Sequence, residues 1–208
     1  MKKHKKSRKR SEKQFSGPEK PKGLTKTAWM GIFIAAIMIL SVVGFMWNGN
    51  TAPDLDYNGH SFTLTQDRMF MMEHEGQNIV FYNHPSEVEH ISIGGAGDVL
   101  SDTRMMYSTL DPQDEYSEVI GATQYDIKKV LDSEGTLFAY AFTEENEYNK
   151  TIITCSNATA SVPVLYFRKS NLTNVSFDDG CIIAEAESEY GMIMLRDRLL
   201  YAITGVIE

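Results

Sequence analysis

The hydrophobic pattern divides the chain sharply. From Ala28 to Trp47 the sequence AWMGIFIAAIMILSVVGFMW is apolar on every side, with Ser41 its one polar hydroxyl residue. Twenty helical residues rise about 30 Å, the thickness of a bilayer's hydrocarbon core, so this run predicts a membrane span. Trp29 and Trp47, the protein's two tryptophans, stand near its ends, where indoles meet the headgroup layer. Ser41 is tolerated because its hydroxyl can bond back to the preceding turn.

After the run the pattern changes to short segments of period two and one long segment of period 3.6. The alternating stretch His60–Thr65, the runs Met69–His74 and Asn78–Tyr82 around Glu75-Gly76-Gln77, and Arg104–Leu110 predict strands, the middle pair a hairpin. Further strands are expected at Thr136–Thr143, Thr151–Cys155, Val162–Arg168 and Cys181–Ala186. His84-Pro85-Ser86-Glu87 predicts a short helix, with proline in the first turn and an acid at the positive end of the dipole. Asp111, Pro112, Asp114 and Glu115 predict the start of a longer one. Its apolar face is Tyr116, Val119, Ile120, Thr123, Ile127, Val130 and Leu131, and Gly135 stops it after Ser133. Leu195, Leu199, Ala202, Ile203 and Val206 mark a closing helix. The expected fold class is α+β: one transmembrane helix, then one extracytoplasmic domain with a mixed or antiparallel sheet and two or three helices on one face. The expected division is a basic tail over 1–27, the span over 28–47, a linker over 48–57 and the domain over 58–208.

Charge gives the span a direction. Residues 1–28 hold eleven Lys/Arg and two acids, none is charged from Thr27 to Pro53, and Asp54–Glu208 holds nine bases and 26 acids. Lysines and arginines beside a span stay on the cytoplasmic side, so the N-terminus is expected inside and the domain outside the cell membrane. The run is longer than the core of a cleavable signal, which favours an uncleaved signal-anchor; cleavage near Ala52 is the alternative. The expected partners are the lipid bilayer and, for the tail block KKHKKSRKR, its anionic headgroups. The tail has no aromatics positioned to stack on bases, so no nucleic-acid partner is expected. Gly31 and Ala35 form a small-xxx-small pair that suits a homodimer of spans.

The domain's chemistry is sparse. Cys155 ends one expected strand and Cys181 opens another, and outside the cytoplasm such a pair oxidises to a disulfide; two buried free thiols are the alternative. Sequons at Asn149, Asn157, Asn171 and Asn174 are glycosylation candidates on the expected outer side, and Asn171 and Asn174 overlap sterically, so both are rarely occupied at once. His84 and His90 lie six residues apart without a third ligand, so no metal site is expected. Gly94-Gly95-Ala96-Gly97-Asp98 lacks the residues of a phosphate loop and reads as a flexible turn. Asp178-Asp179-Gly180 reads as a turn rather than a calcium loop. No catalytic motif or cofactor site is found, so non-enzyme is favoured. The expected function is a membrane-anchored binding or assembly module of the cell envelope, with an envelope protein or glycan as its partner. The alternative is an anchored hydrolase-like enzyme with an unrecognised carboxylate site.

Several segments resemble uncharacterised single-pass membrane proteins of archaea of the DPANN type. They are the basic leader with its span, His84–His90, Thr154–Thr159, Val162-Pro163-Val164, Cys181-Ile182-Ile183 and Arg196–Val206. The resemblance implies an anchored, exported domain and supplies no activity.

Overall fold

The structure is a computed structural model, and it describes residues 25–48 and 55–207. The basic tail and most of the expected linker lie outside the described residues. Two compact units divide after Pro53.

The first unit contains α1, Lys26–Asn48, which extends the apolar run by two residues at its start and one at its end. The Thr25 hydroxyl accepts from Ala28 N (3.4 Å), and the Ser41 hydroxyl donates to Ile37 O (2.8 Å), as expected of a hydroxyl on an apolar helix. Over Lys26–Val43 none of the helix is buried against protein. That separates it from the core helix of a soluble domain. Among the described residues α1 is the one helix long and apolar enough to cross a membrane.

The second unit is an α+β domain with two sheets. Strands β1 (Thr63–Leu64), β2 (Phe70–His74) and β3 (Gln77–Phe81) form an antiparallel sheet in that order. The β2–β3 hairpin pairs Met72 with Ile79 and turns on Glu75-Gly76, both at positive φ (48° and 75°). That is the geometry a two-residue hairpin loop requires, and glycine adopts it without strain. The expected strand His60–Thr65 shrinks to β1, because Tyr57 and His60 close a tight turn on each other. Leu55 and Tyr57 pack on the core, so the domain begins inside the expected linker.

The second sheet has the order β5-β4-β6-β8-β7. Strands β4 (Met105–Leu110), β5 (Leu137–Phe142), β6 (Val164–Lys169) and β8 (Cys181–Ala186) run parallel, and β7 (Asn174–Asp178) is an antiparallel edge. It is therefore mixed, one of the two expected forms. β7 was not expected: Val175 is its one fully buried residue, too little alternation to mark a strand. The expected strand Thr151–Cys155 reduces to one bridge, Ile152 to Phe142, followed by a 3₁₀ turn at Cys155–Asn157.

Four helices belong to the domain, against the two or three expected: α2 (Pro85–Val88), α3 (Ala96–Asp102), α4 (Ser117–Ser133) and α5 (Glu189–Ile203). In α2 the His84 ring caps Ser86 N, and the Glu87 carboxylate accepts from His84 N (2.7 Å), a reciprocal cap. The added helix is α3, which starts inside the glycine-rich segment expected to be a turn. Ala96 and Leu100 there are fully buried, so core packing overrides the low helix propensity of glycine. Helix α4 starts five residues later than Pro112. Asp111 accepts from Gln113 N and Asp114 from Tyr116 N (both 2.8 Å), so the acids form two successive side-chain-capped turns ahead of the helix. Its end is as expected, with Gly135 at φ 82°.

The main core joins the hairpin sheet, the four helices and one face of the second sheet, including Leu165, Phe167, Ile182 and Ala184. The other face carries a smaller cluster of Ala141, Ile153, Val164 and Cys181. The 150–162 segment covers it in place of a helix.

Candidate binding cleft

The parallel strands end together at their carboxyl edge, where open α/β sheets place ligands. There, between the carboxyl ends of β4 and β5 and the first half of α4, lies a cavity of about 460 Å³. That is within the range of small-molecule sites. Leu110 and Pro112 close it on the β4 side, and Tyr140 and Phe142 form the β5 wall. The loop after β5 adds Tyr148 and Lys150, and α4 contributes Glu118, Gly121 and Gln124.

Each wall has a local cause. Phe138, Tyr140 and Phe142 alternate onto the face that α4 covers, Phe138 meeting Tyr140 edge-on at 5.7 Å between ring centres. Tyr148 is exposed but stacks on Phe142, ring centres 5.8 Å apart and planes 25° apart. The loop presenting it is stapled by Asn146, whose Oδ1 accepts from Lys150 N (3.0 Å) and whose Nδ2 donates to Lys150 O (3.2 Å). Gly121 sits within α4, and a Cβ added there meets nothing within 4 Å, so the missing side chain widens the cavity. Gln124 is buried and donates to the Ser108 hydroxyl (2.9 Å), fixing its amide at the base. Burial, followed by the charge of Asp132, pushes the Tyr140 phenol above its ordinary value, so it stays a neutral donor.

The rim is charged. Glu118 and Lys150 both line the cavity, and among the described residues neither side chain has a hydrogen-bond or ion-pair partner. Described residues lining the cleft include one carboxylate and no histidine or cysteine. Such a site can seat an apolar or aromatic group and hold charged groups at its mouth.

The two cysteines meet. Cys155 and Cys181 are disulfide-bonded with Cα atoms 5.3 Å apart. Thr109 donates its hydroxyl to Ile153 O (2.9 Å), and Ile152 bridges to Phe142, so the bond lies at the root of the loop carrying Tyr148 and Lys150. The sequon asparagines are scattered rather than gathered: Asn149, Asn157 and Asn171 are exposed and Asn174 is half-buried at the start of β7. Asn157 is already engaged, its Oδ1 accepting from Thr154 N (2.9 Å). Among the described residues no group of three His, Cys, Asp or Glu side chains is placed to hold a metal ion. His84 instead packs edge-on against Tyr57, Phe62 and Phe70.

A second polar cluster is wholly internal. Asp197 of α5 is fully buried; its Oδ2 accepts from Tyr82 N, Asn83 N and Asn83 Nδ2 at 2.8–2.9 Å, and its Oδ1 from Arg196 Nη1 at 2.5 Å. Arg196 also donates to Asp126 Oδ2 of α4 (2.8 Å) and Val80 O of β3 (2.9 Å). Burial pushes the Asp197 carboxyl up, while Arg196 and Asn83 pull it back. Tyr201 donates to Asn83 O and Tyr190 to Asn83 Oδ1, both at 2.7 Å. With every polar group answered, this cluster acts as a brace joining the hairpin sheet, α4 and α5.

No family model matches the chain, and no curated protein and no solved structure is similar to it. The functional reading therefore rests on the cleft's own chemistry. Sequence reasoning missed the cleft residues. Two signals were present: a glycine inside a strongly periodic helix, and Lys150, the single base between Lys129 and Arg168, among Glu144, Glu145 and Glu147.

Proposed function

We propose that the chain is a membrane-anchored, extracytoplasmic ligand-binding module of the cell envelope. In this reading α1 is an uncleaved anchor, the basic tail remains in the cytoplasm against anionic headgroups, and the disulfide-bonded domain faces outward. The dense Lys/Arg leader supports the orientation, and the disulfide supports an oxidising compartment. Binding rests on one observation: an aromatic-walled cavity with an unpaired charge of each sign at its rim. Its single lining carboxylate offers nothing in favour of a paired-carboxylate hydrolase.

Two measurements test the reading. Protease added to intact cells expressing the full chain is expected to digest the domain and spare the tail; a protected domain overturns the orientation. Cross-linking in those membranes is expected to recover an envelope component with the wild type and lose it with Gly121→Leu, whose side chain enters the cavity. Identical recovery from both overturns the assignment of binding to the cleft.

A further inference from the structure

We propose that the cleft recognises a short peptide, seating one apolar or aromatic side chain in the cavity and pairing an ammonium group with Glu118 and a carboxylate with Lys150. This deepens the reading above and rests on it.

The cavity's walls are aromatic and aliphatic, so the group that fills it is apolar, and the stacked Phe142–Tyr148 pair favours a ring. At the mouth, a carboxylate on α4 and an ammonium on the stapled loop stand without partners among the described residues. They are more than 4 Å apart, since they form no ion pair with each other. A ligand with charges of both signs on either side of an apolar group answers all three features at once. Peptides have that constitution. A neutral oligosaccharide gives the tyrosines a face to stack on but leaves both charges unanswered. A purely cationic ligand opposes Lys150, and a purely anionic one opposes Glu118.

The placement of the two charges supports pre-organisation. Glu118 projects from the first turn of a seventeen-residue helix, and Lys150 has its backbone held at both N and O by the Asn146 amide. The disulfide and the Thr109–Ile153 contact anchor the far end of the same loop. Little loop ordering is left to be done on binding, which is where affinity is commonly lost.

The test uses the full chain in detergent micelles. Saturation-transfer NMR measures affinity for four probes: unmodified Gly-Phe-Gly, its N-acetylated form, its C-amidated form, and the neutral trimer of N-acetylglucosamine. The unmodified tripeptide is expected to bind about two- to fivefold tighter than either capped form, the range of exposed ion pairs. Glu118→Gln is expected to remove that advantage for peptides with a free amine and to leave the N-acetylated one unchanged. Lys150→Met is expected to do the same for the free carboxylate and to leave the amidated form unchanged. Both side chains are exposed, so neither change threatens folding. Gly121→Leu is expected to abolish all peptide binding, with circular dichroism confirming that the domain is intact.

Equal affinity for capped and free peptides, or equal losses on every probe, overturns the charge pairing and with it the proposal. Binding of the trisaccharide in place of peptide, lost in Gly121→Leu, also overturns it while leaving the binding module standing. Binding of no probe overturns the peptide assignment, and the cross-linking comparison then decides the broader reading separately.

Discussion

Replacing Gly121 with alanine tests the cleft without any ligand. Gly121 is the fifth residue of α4, inside the helix rather than at a cap, and an added Cβ meets nothing within 4 Å. A glycine in a helix interior costs about 0.8–1 kcal/mol relative to alanine, mostly as backbone entropy lost on folding. Usually a new methyl group in a packed domain offsets that gain by collision. Here it points into open space, so the whole gain is kept. Gly121→Ala is expected to stabilise the domain by about 0.8–1 kcal/mol, raising its melting temperature by about 2–4 °C in a unit of this size. Gly135 is the contrasting site: it holds φ at 82°, so Gly135→Ala is expected to destabilise by about 1 kcal/mol. Both tryptophans precede Pro53. Unfolding of the second unit is therefore followed by tyrosine near-UV and backbone far-UV circular dichroism, on heating and in urea, on the full chain in micelles. A neutral or destabilising Gly121→Ala would mean that the space beside α4 is already filled. The cleft reading would then fail before any ligand was tried.

Three further outcomes follow from the geometry. Removing the disulfide with Cys155→Ala and Cys181→Ala frees a loop of sequence separation 26 and is expected to cost about 3.5 kcal/mol in the chain-entropy model, read from the urea midpoint. Asp197→Asn places an amide against Arg196 and breaks a buried charge pair, so a loss of about 3–5 kcal/mol is expected by the same measurement. Burial pushes the Tyr201 phenol far above its ordinary value, and burial also raises Tyr140 and Tyr166. These phenols stay protonated in the folded state while the unfolded chain ionises from about pH 10, so stability is full below that point and falls as pH rises beyond it. Tyr201→Phe is expected to cost about 1 kcal/mol at pH 7, by stranding the Asn83 carbonyl, and to flatten the alkaline decline; an unchanged decline assigns it to other groups.

Local signals carried well from sequence to structure. The apolar run, the Glu75-Gly76 hairpin, the His84-Pro85 helix start, the end of α4 at Gly135 and the strand Cys181–Ala186 each depend on neighbouring residues alone. What sequence could not supply was the order of strands. β4 lies between β5 and β6 because a parallel sheet is built by crossovers, and nothing local to Met105–Leu110 records which neighbours arrive. The polar partners inside α5 were out of reach for a related reason. Its three consecutive charged residues, Arg196-Asp197-Arg198, are all buried, because partners come from distant segments: Tyr82 and Asn83, Asp126, and the carbonyls of Val80, Ile91 and Ile207. The cleft escaped notice because its walls come from β4, α4, β5 and a loop, each unremarkable alone. A cavity is a property of assembled elements.

The position of Asp197 has a consequence for the order in which the domain closes. The backbone amide of Asn83 reaches its acceptor 114 residues further along the chain. Until α5 has been synthesised, the hairpin sheet, α2 and α3 lack the partner that satisfies their inner polar groups and covers their apolar sides. The first half of the domain therefore gains these partners only once its last helix has arrived.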